Sequence, residues 1–243
     1  MVRLYFLGLG GWASNPLINH TSMLLVAKQS RILVDVGECV YNSLRICTPF
    51  DVGDLDYVVI THRHGDHLLG LPTILQHAKR LGVRVRVVGP YDVYEAIKGL
   101  LGSIGIPNYV SLIDFTVVES GVKLSLGGIS VTAIEASHTI PALMFRFDVD
   151  GKCVAYSGDS SLNANFVSLI NRCDVLVHEA SVDDEFKNEA LKYGHSTVDD
   201  AVRTAEEAGV KRLVLVHRGL SPLTLLRTKV PVVLVHKCDV LEV

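Results

Sequence analysis

The residues most able to do chemistry lie in one short segment, 61–67 (THRHGDH). Three imidazoles and one carboxylate so close together are hard to bury as structure, because a neutral imidazole needs partners for both ring nitrogens and an unpaired buried carboxylate is costly. A solvated polar turn is the alternative interpretation. Imidazole and carboxylate both suit zinc and related transition metals. The segment therefore predicts a metal site that uses His62, His64, Asp66 and His67.

Three further residues of the same kinds occur later in the chain. His138, Asp159 and His217 each lie at or just past the carboxyl end of a predicted strand. Sites on sheet proteins tend to be assembled at such strand ends. One isolated histidine at a strand end usually has a structural role. Here four strand ends, one of them before the 61–67 segment, are each followed by residues that can bind metal, which argues against coincidence. We therefore expect these residues to join the 61–67 segment at one site.

Short β-branched runs alternate with helical patterns along the chain, and no repeat or linker divides it, so we treat 1–243 as a single domain. Asp150 and Gly151 predict a tight hairpin turn. Thr197 is the expected N-cap of a helix that ends at Gly209. Strand-rich halves that each carry helices indicate two sheets packed face to face with helices outside, although the pattern alone also fits an ordinary α/β sheet.

The predicted strands cover 2–7, 21–27, 31–36, 57–60, 84–88, 116–118, 123–126, 130–134, 142–149, 152–156, 174–177, 212–216 and 232–235. The predicted helices cover 71–81, 91–101, 164–171, 184–193 and 197–208.

The composition excludes several classes of protein. Hydrophobic residues make up 49% and charged residues 20%, which is typical of a folded chain, and no apolar run reaches the roughly 18 residues that cross a bilayer. A net charge of −3 without a long basic block argues against a general nucleic-acid coat. The five cysteines are scattered, so we expect small apolar core side chains in a reducing cytoplasm rather than a disulfide framework or a thiolate zinc cage.

These residues resemble the metallo-β-lactamase superfamily, whose signature is HxHxDH followed by isolated His, Asp and His. The resemblance runs from residue 4 to about residue 234. It implies an α+β fold in four αββα layers, with two mixed β-sheets, helices on the outer faces and a two-metal site at one edge. It also implies that Asp35 braces the metal loop. By motif position, the first ion would take His62, His64 and His138, the second would take Asp66, His67 and His217, and Asp159 would bridge the two.

Within the superfamily, the chain looks most like the ribonuclease Z branch. Segments 35–38 (DVGE), 178–181 (HEAS) and 194–197 (GHST) are similar to that branch's DCGE, HEAT or HEAS, and HST segments. By this resemblance, His195 is the candidate general acid that assists the leaving group, and Glu179 would orient it. A His195 that merely caps a turn at the start of a helix is the alternative. His178 is not a ligand in the pattern, and a structural role is expected for it.

The chain also departs from the tRNA-processing members of that branch. His138 and Asp159 are only 21 positions apart, where those enzymes generally carry a long arm that grips tRNA. Segment 10–16 (GGWASNP) lacks the usual basic character, and segment 218–221 (RGLS) replaces a Ser-Arg-Tyr-like continuation. The resemblance thus implies the hydrolytic centre but does not extend to the tRNA-binding arm.

The expected reaction is hydrolysis of a phosphodiester. Two divalent ions, zinc by default with manganese or iron also suited, would lower the pKa of a shared water towards neutrality, and Asp66 would double as a proton acceptor. The expected partner is an anionic phosphodiester, either RNA or a small nucleotide; no membrane is expected, and the resemblance implies a homodimer.

Two alternatives stay open at this point. One is a hydrolase of the same fold that cleaves a thioester, as glyoxalase II does, or a lactone or cyclic nucleotide. Only about 26 residues follow His217, which leaves little room for the helical domain that glyoxalase II relatives usually carry. The other is a non-catalytic binding module, which the complete set of seven ligand positions argues against.

Overall fold

A computed structural model describes residues 1–28, 30–218 and 227–243. Within them the strands are, in chain order, β1 (Val2–Gly8), β2 (Ser22–Ala27), β3 (Ser30–Val34), β4 (Tyr57–Val59), β5 (Val85–Gly89), β6 (Ile113–Val117), β7 (Lys123–Leu126), β8 (Ile129–Glu135), β9 (Leu143–Val149), β10 (Lys152–Tyr156), β11 (Val175–Glu179), β12 (Leu213–Val216), β13 (Val232–Val233) and β14 (Val240–Glu242).

The helices in the same part of the chain are α1 (Val40–Cys47), α2 (Gly65–Leu68), α3 (Leu71–Leu81), α4 (Tyr91–Ser103), α5 (Ala164–Leu169), α6 (Lys187–Tyr193) and α7 (Val198–Ala208). Short 3-10 turns cover Val52–Asp54, Pro107–Leu112 and Asp184–Phe186.

The strands form two mixed sheets. The first has the order β14-β1-β2-β3-β4-β5-β6, and the second has the order β13-β12-β11-β10-β9-β8-β7. Strands β3 to β6 run parallel in the first sheet, and β10 to β13 run parallel in the second. Parallel strands direct their carboxyl ends to one end of a sheet, so each sheet gathers the residues that follow its strands at that end.

The two sheets pack face to face, with helices on both outer faces. Phe6 of β1 and Phe145 of β9 share the core between the sheets, to which β8 contributes every second side chain from Ile129 to Ala133. Helices α1, α3 and α4 pack on the outer face of the first sheet, and α5 and α7 pack on the second. The predicted αββα sandwich is confirmed, and the ordinary α/β sheet is excluded.

Local signals in the sequence account for several boundaries. Asp150 and Gly151 form the β9–β10 turn with φ angles of 52° and 72°, as predicted. Thr197 and Asp200 form a reciprocal capping box at the start of α7, and Gly209 ends that helix with φ 61°. The sequence prediction missed α1 and β14. Both are short, and each is stabilised by packing or pairing with β1, which is remote in sequence.

The expectation for the cysteines was wrong. Cys47 at the end of α1 is bonded to Cys238 before β14, and Cys153 of β10 is bonded to Cys173, while Cys39 is exposed. The paired Cα atoms are 4.6 and 4.8 Å apart, within disulfide range. Pairs that are 191 and 20 residues apart in sequence carry no motif, so only the folded chain shows which sulfurs meet.

Gly219, Leu220 and Ser221 of the 218–221 segment lie outside the described residues. Among the helices that are described, none combines the length and apolar character needed to cross a bilayer.

Candidate metal centre

Strand ends position all seven predicted ligands at one end of the two sheets. His62 and His64 follow β4, and the single turn of α2 carries Asp66 and His67. From the second sheet come three residues, each just beyond a strand: His138 after β8, Asp159 after β10 and His217 after β12. The structure therefore brings together residues that are up to 155 positions apart in the sequence, as His62 and His217 are.

The ligand atoms fall into two groups, and the first is rich in histidine. The Nε2 atoms of His62 and His138 each lie 3.1 Å from Nδ1 of His64. Oδ2 of Asp159 lies 3.5 Å from Nε2 of His62. Nitrogen ligands about 2.0–2.1 Å from one tetrahedral zinc ion would be about 3.3 Å apart, so the first group has the dimensions of a single coordination shell.

The second group contains two carboxylates and two imidazoles. Nε2 of His217 lies 3.1 Å from Oδ2 of Asp66 and 3.2 Å from Oδ2 of Asp159. Nε2 of His67 lies 3.3 Å from Oδ1 of Asp159 and 3.7 Å from Oδ2 of Asp66. All four side chains are buried, and Asp159 belongs to both groups.

Two buried atoms at the junction lack a hydrogen-bond partner. They are Nε2 of His67 and Oδ1 of Asp159, both almost inaccessible to solvent. An unsatisfied buried imidazole nitrogen and carboxylate oxygen carry a desolvation cost that a cation bound by both would remove. Together with the fold, the two clusters indicate a divalent metal site.

The imidazoles of the first group are held in the neutral form that ligates metals. Burial and the charge of His67 hold the pKa of His62 well below its usual range. Burial also lowers the pKa of His64 and His138. A neutral ring keeps a lone pair for a metal ion without first losing a proton.

The second group is electrostatically different. Burial opposes ionisation of Asp159 and Asp66, but the contacts with His217 and His67 hold both carboxyl pKa values well below the usual range. Burial disfavours the charged form of His67 too, yet Asp159 and Asp35 raise its pKa well above the ordinary value. This pocket therefore favours positive charge, as a cation site must.

Asp35 braces the second group from behind, at the position that the resemblance implied. Its Oδ2 lies 2.8 Å from Nδ1 of His67 and accepts a hydrogen bond of 2.8 Å from the hydroxyl of Tyr156 in the other sheet. Its Oδ1 accepts the backbone N–H of Thr61 at 2.8 Å. With Nδ1 bound to a carboxylate, His67 directs Nε2 towards the cluster.

The other histidines are oriented in the same manner. Nδ1 of His62 contacts the hydroxyl of Thr61 at 2.9 Å, and Nδ1 of His138 donates to the carbonyl of Gly194 at 2.9 Å. Nδ1 of His217 lies 2.8 Å from the hydroxyl of Ser181. Each contact holds one ring nitrogen and leaves the other for the cluster.

Two site residues have left-handed backbone conformations. Asp35 has φ 55° and His217 has φ 53°, both at positions just after a strand. Such conformations are uncommon for residues with a side chain, and they persist where the surrounding structure imposes them. They turn the chain sharply out of the sheet, so that the side chain faces the cluster.

His195 and Glu179 form a pair beside the two groups. Nδ1 of His195 lies 3.1 Å from Oε1 of Glu179, which is fully buried at the end of β11 and also accepts the N–H of Ser160. The His195 ring lies 5.1 Å from the ring of His138 and 5.4 Å from that of His217. Burial opposes the charged imidazolium, but Glu179 outweighs it and raises the pKa of His195 to about 9.

A cavity of about 750 Å³ opens over the site. Its described lining includes the ligands His64, Asp66, Asp159 and His217, together with His195. The other lining residues are Trp12, Gly65, Thr139, Ser181, Val182, Glu189, Ala190 and Tyr193. A substrate that enters this cavity would meet both ligand groups and His195.

Comparison with known proteins agrees with this geometry. A family model of the Beta-lactamase superfamily domain matches residues 30–218. The chain belongs to the beta-lactamase superfamily. This membership confirms the resemblance drawn from the HxHxDH segment and the later His, Asp and His.

Within the beta-lactamase superfamily, the chain is similar to ribonuclease Z proteins. It is 27% identical to ribonuclease Z of Clostridium novyi, over 91% of this chain and 90% of the relative. It is 28% identical to ribonuclease Z of Methanopyrus kandleri, over 87% of this chain and 85% of the relative. The relatives support a metal-dependent hydrolase that resembles ribonuclease Z.

Several solved structures have the same fold. The metallo-beta-lactamase fold protein YhfI from Bacillus subtilis superposes with a TM-score of 0.86 at 20% identity, and each chain is covered completely. The short form of human tRNase Z superposes with a TM-score of 0.82 at 24% identity, over 99% of this chain and 98% of the other. A diphosphatase of the PhnP family gives a TM-score of 0.76 at 19% identity, over 100% and 98%.

Sequence reasoning missed several residues of this site. Ser181 stood within the HEAS segment, but nothing in the sequence linked it to His217. Tyr156 lies in an ordinary apolar strand, and its contact with Asp35 crosses from one sheet to the other. His178 is buried with Nδ1 against the carbonyl of Glu179 and belongs to none of the ligand groups, as expected.

Proposed function

We propose that this chain is a phosphodiester hydrolase that works with two divalent ions, zinc by default. The observation that carries the proposal is Asp159, which is shared by two ligand groups and lies next to the His195–Glu179 pair. A dinuclear site beside a positioned acid suits a reaction in which a water attacks phosphorus and an alcohol leaves. The ribonuclease Z relatives and the diphosphatase support a phosphate ester over a thioester or lactone.

In this proposal, His62, His64 and His138 would hold one ion and Asp66, His67 and His217 would hold the other, with Asp159 belonging to both groups. When bound, the ions supply an activated water at neutral pH and neutralise charge on the phosphate oxygens. The lowered pKa of Asp66 favours its role as a ligand over its role as a proton acceptor. Manganese or iron would suit the same side chains.

His195 is the proposed general acid. Glu179 binds Nδ1, which leaves Nε2 as the nitrogen that can donate a proton to the leaving oxygen. The raised pKa keeps this ring charged at neutral pH, so the proton is in place before the bond breaks. Ser181 and the backbone N–H of Ser160 hold the Glu179 carboxylate in position.

The experiment that tests the reaction class uses three substrates with the zinc-loaded protein. They are bis(p-nitrophenyl) phosphate, a precursor tRNA with a 3′ trailer, and S-lactoylglutathione. Release of p-nitrophenol that requires metal supports the proposal. Hydrolysis of the thioester alone would overturn it, and turnover that persists after a chelator has removed the metal would overturn the metal role.

The pH dependence tests His195 separately. Because its pKa is raised, the protonated acid is present below pH about 9 and is lost as the pH rises through that value. We expect His195→Ala to lower kcat by about 100-fold and to abolish the alkaline descent of the pH profile. Glu179→Gln removes the charge that raises the pKa, so its descent should begin at lower pH. An unchanged profile in both variants would contradict the assignment.

We also propose that RNA or a small nucleotide is the partner and that the chain is a cytoplasmic homodimer. Ribonuclease Z relatives support the nucleic-acid part. The cysteines do not support the cytoplasmic location, because four of them form disulfides, which are rare in a reducing compartment. Sedimentation equilibrium of the purified protein tests the dimer, and a single species with the mass of one chain would refute it.

A further inference from the structure

The cavity over the site carries little that would hold a long polyanion. Its described lining residues include no lysine or arginine, and three of them are acidic: Asp66, Asp159 and Glu189. Nearby, Arg63 binds the carboxylate of Asp92 at 2.9 Å. Proteins that grip extended nucleic acid do so chiefly with lysine and arginine on successive phosphates. The cavity therefore fits a substrate whose charge is concentrated on the one phosphate that meets the ligand groups.

Two large aromatic side chains are instead exposed on the cavity wall. Trp12 is 81% exposed and Tyr193 is 54% exposed, although apolar rings of this size normally lose water when a chain folds. Both line the same cavity as the ligands. Exposed aromatic rings next to a phosphate-cleaving centre are suited to stacking on a nucleobase.

Each of these two aromatic residues is next to a glycine that packs on a predicted metal ligand. Trp12 follows Gly11, where an added Cβ would come within 2.8 Å of the His217 ring. Tyr193 precedes Gly194, whose carbonyl binds His138 and where a Cβ would lie 2.7 Å from the Cα of His138. Each aromatic residue is therefore adjacent in sequence to a backbone segment packed on a ligand, His217 of the second group or His138 of the first.

We propose that Trp12 and Tyr193 bind the nucleobase of a short nucleoside phosphodiester and so select this substrate class over long structured RNA. The proposal rests on the phosphodiesterase function and names its substrate. With the phosphate at the ligand groups, a nucleoside joined through its sugar to one of the ester oxygens would bring its base over the cavity wall. Lys192 lies 5.2 Å from the centre of the Tyr193 ring, so a base would stack on the opposite face of that ring.

Trp12 permits a test that does not depend on hydrolysis, because it is the only tryptophan in the chain. The zinc-loaded protein is titrated with uridine 5′-monophosphate and, in parallel, with ribose 5-phosphate, which has the sugar and phosphate but no base. We expect saturable quenching of the tryptophan fluorescence by the nucleotide and little change with the sugar phosphate. Equal responses, or no response to the nucleotide, would overturn the proposal while leaving the proposed function intact.

The kinetic test compares two diesters with the same leaving group, thymidine 5′-(p-nitrophenyl phosphate) and methyl p-nitrophenyl phosphate. Trp12→Ala should lower kcat/KM about 5- to 100-fold for the nucleoside diester, the range expected for loss of one stacked base, and less than about 2-fold for the methyl diester. Trp12→Phe should restore most of the loss. An equal loss on both diesters would contradict base recognition.

Matched controls separate stacking from a general effect on the surface. Leu17→Ala removes an apolar side chain that is also 81% exposed and only five positions from Trp12 but does not line the cavity. Leu191→Ala removes an exposed apolar side chain of α6 that lies two positions before Tyr193 and does not line the cavity. Both controls should leave kcat/KM unchanged for both diesters. If neither diester is hydrolysed, the proposed function fails, and the fluorescence titration still decides whether the base is bound.

A precursor tRNA decides between the two substrate classes. Its kcat/KM should be lower than that of the thymidine diester and should fall little between 50 and 200 mM salt, because the described lining of the cavity has no lysine or arginine to release counterions. A faster reaction with a steep salt dependence would show that long RNA is the better substrate and would overturn the selection that we assign to Trp12 and Tyr193.

Discussion

The two ligand groups share Asp159 but differ in charge and support. The first contains His62, His64 and His138, with burial lowering the pKa of all three rings. The second adds the carboxylate of Asp66 and is more deeply buried, and carboxylates raise the pKa of His67 instead. The first group is close to a neutral imidazole site, whereas the second is a buried anionic site that favours a cation.

The residues that orient the histidines of the two groups also differ in charge. The direct contacts of the first group are with neutral partners, the carbonyl of Gly194 and the hydroxyl of Thr61, which in turn contacts Asp35. The second is braced by the buried carboxylate of Asp35, which Tyr156 also binds. A charged brace raises the basicity of the histidine it orients, so we expect the second group to hold its ion more tightly than the first.

The largest expected effect comes from Asp159, because both groups use it. Asp159→Ala should remove ions from both groups and lower kcat by about 1000-fold or more, since the metal contribution to catalysis is several kcal/mol. Metal analysis by mass spectrometry and kcat on bis(p-nitrophenyl) phosphate check this. Retention of two tightly bound ions would show that Asp159 bridges nothing.

Variants in a single group test the difference between the groups directly. His64→Ala should release the first ion and keep the second, and Asp66→Ala should do the reverse, with activity reduced about 100-fold in each. Chelator titrations should find the ion left in His64→Ala harder to remove than the ion left in Asp66→Ala. His236→Ala changes an exposed histidine outside both groups and should alter neither ion nor rate. Equal affinities in the two variants would remove the distinction.

The brace is expected to have a smaller effect. Asp35→Asn keeps a hydrogen-bond acceptor near His67 but removes the charge, so affinity for the second ion should fall about 10- to 100-fold while the first ion is retained. Competition with a zinc chelator measures both affinities. Asp56→Asn is the control, because Asp56 binds a backbone N–H of Arg31 away from the site. A loss of the first ion instead would reverse the assignment of Asp35.

The disulfides should affect stability and leave the centre unchanged. Replacing Cys47 and Cys238 with serine should lower the free energy of unfolding by about 5 kcal/mol, and replacing Cys153 and Cys173 by about 3 kcal/mol, since the first pair closes the longer loop. Urea denaturation measures both, and Cys39→Ser is the unpaired control. Neither pair contributes a ligand, so a change in metal content would contradict this separation.

Much of the fold could be read from local signals. Strand β8 alternates buried and partly exposed side chains, and α7 begins at a capping box and ends at a glycine, so pattern and caps predict both. Helix α1 has no side-chain cap and only eight residues, and β14 has three residues; both form because β1 lies beside them. Short elements of this kind carry too few residues for a periodic signal.

Some residues of the candidate site could be predicted from the sequence, and others could not. The ligand types and their places after strands could be predicted because those residues stand out in the sequence. Tyr156 could not, because its role comes from a hydroxyl that reaches across the interface between two sheets to Asp35. Trp12 could not be predicted either, because it lies in an irregular segment between β1 and β2 that carries no periodic pattern. Its place on the cavity wall follows from the packing of its neighbour Gly11 on His217.

The sequence by itself, through its motifs and the resemblance that they carry, indicated the family, the layered fold and the seven candidate ligand side chains, because residue types and their spacing along the chain are local properties. Only the tertiary structure decided that Tyr156 binds Asp35 across the two sheets, that Ser181 contacts His217, and which cysteines pair. Those outcomes depend on distances between residues remote in sequence, and such distances are set when the two sheets pack together.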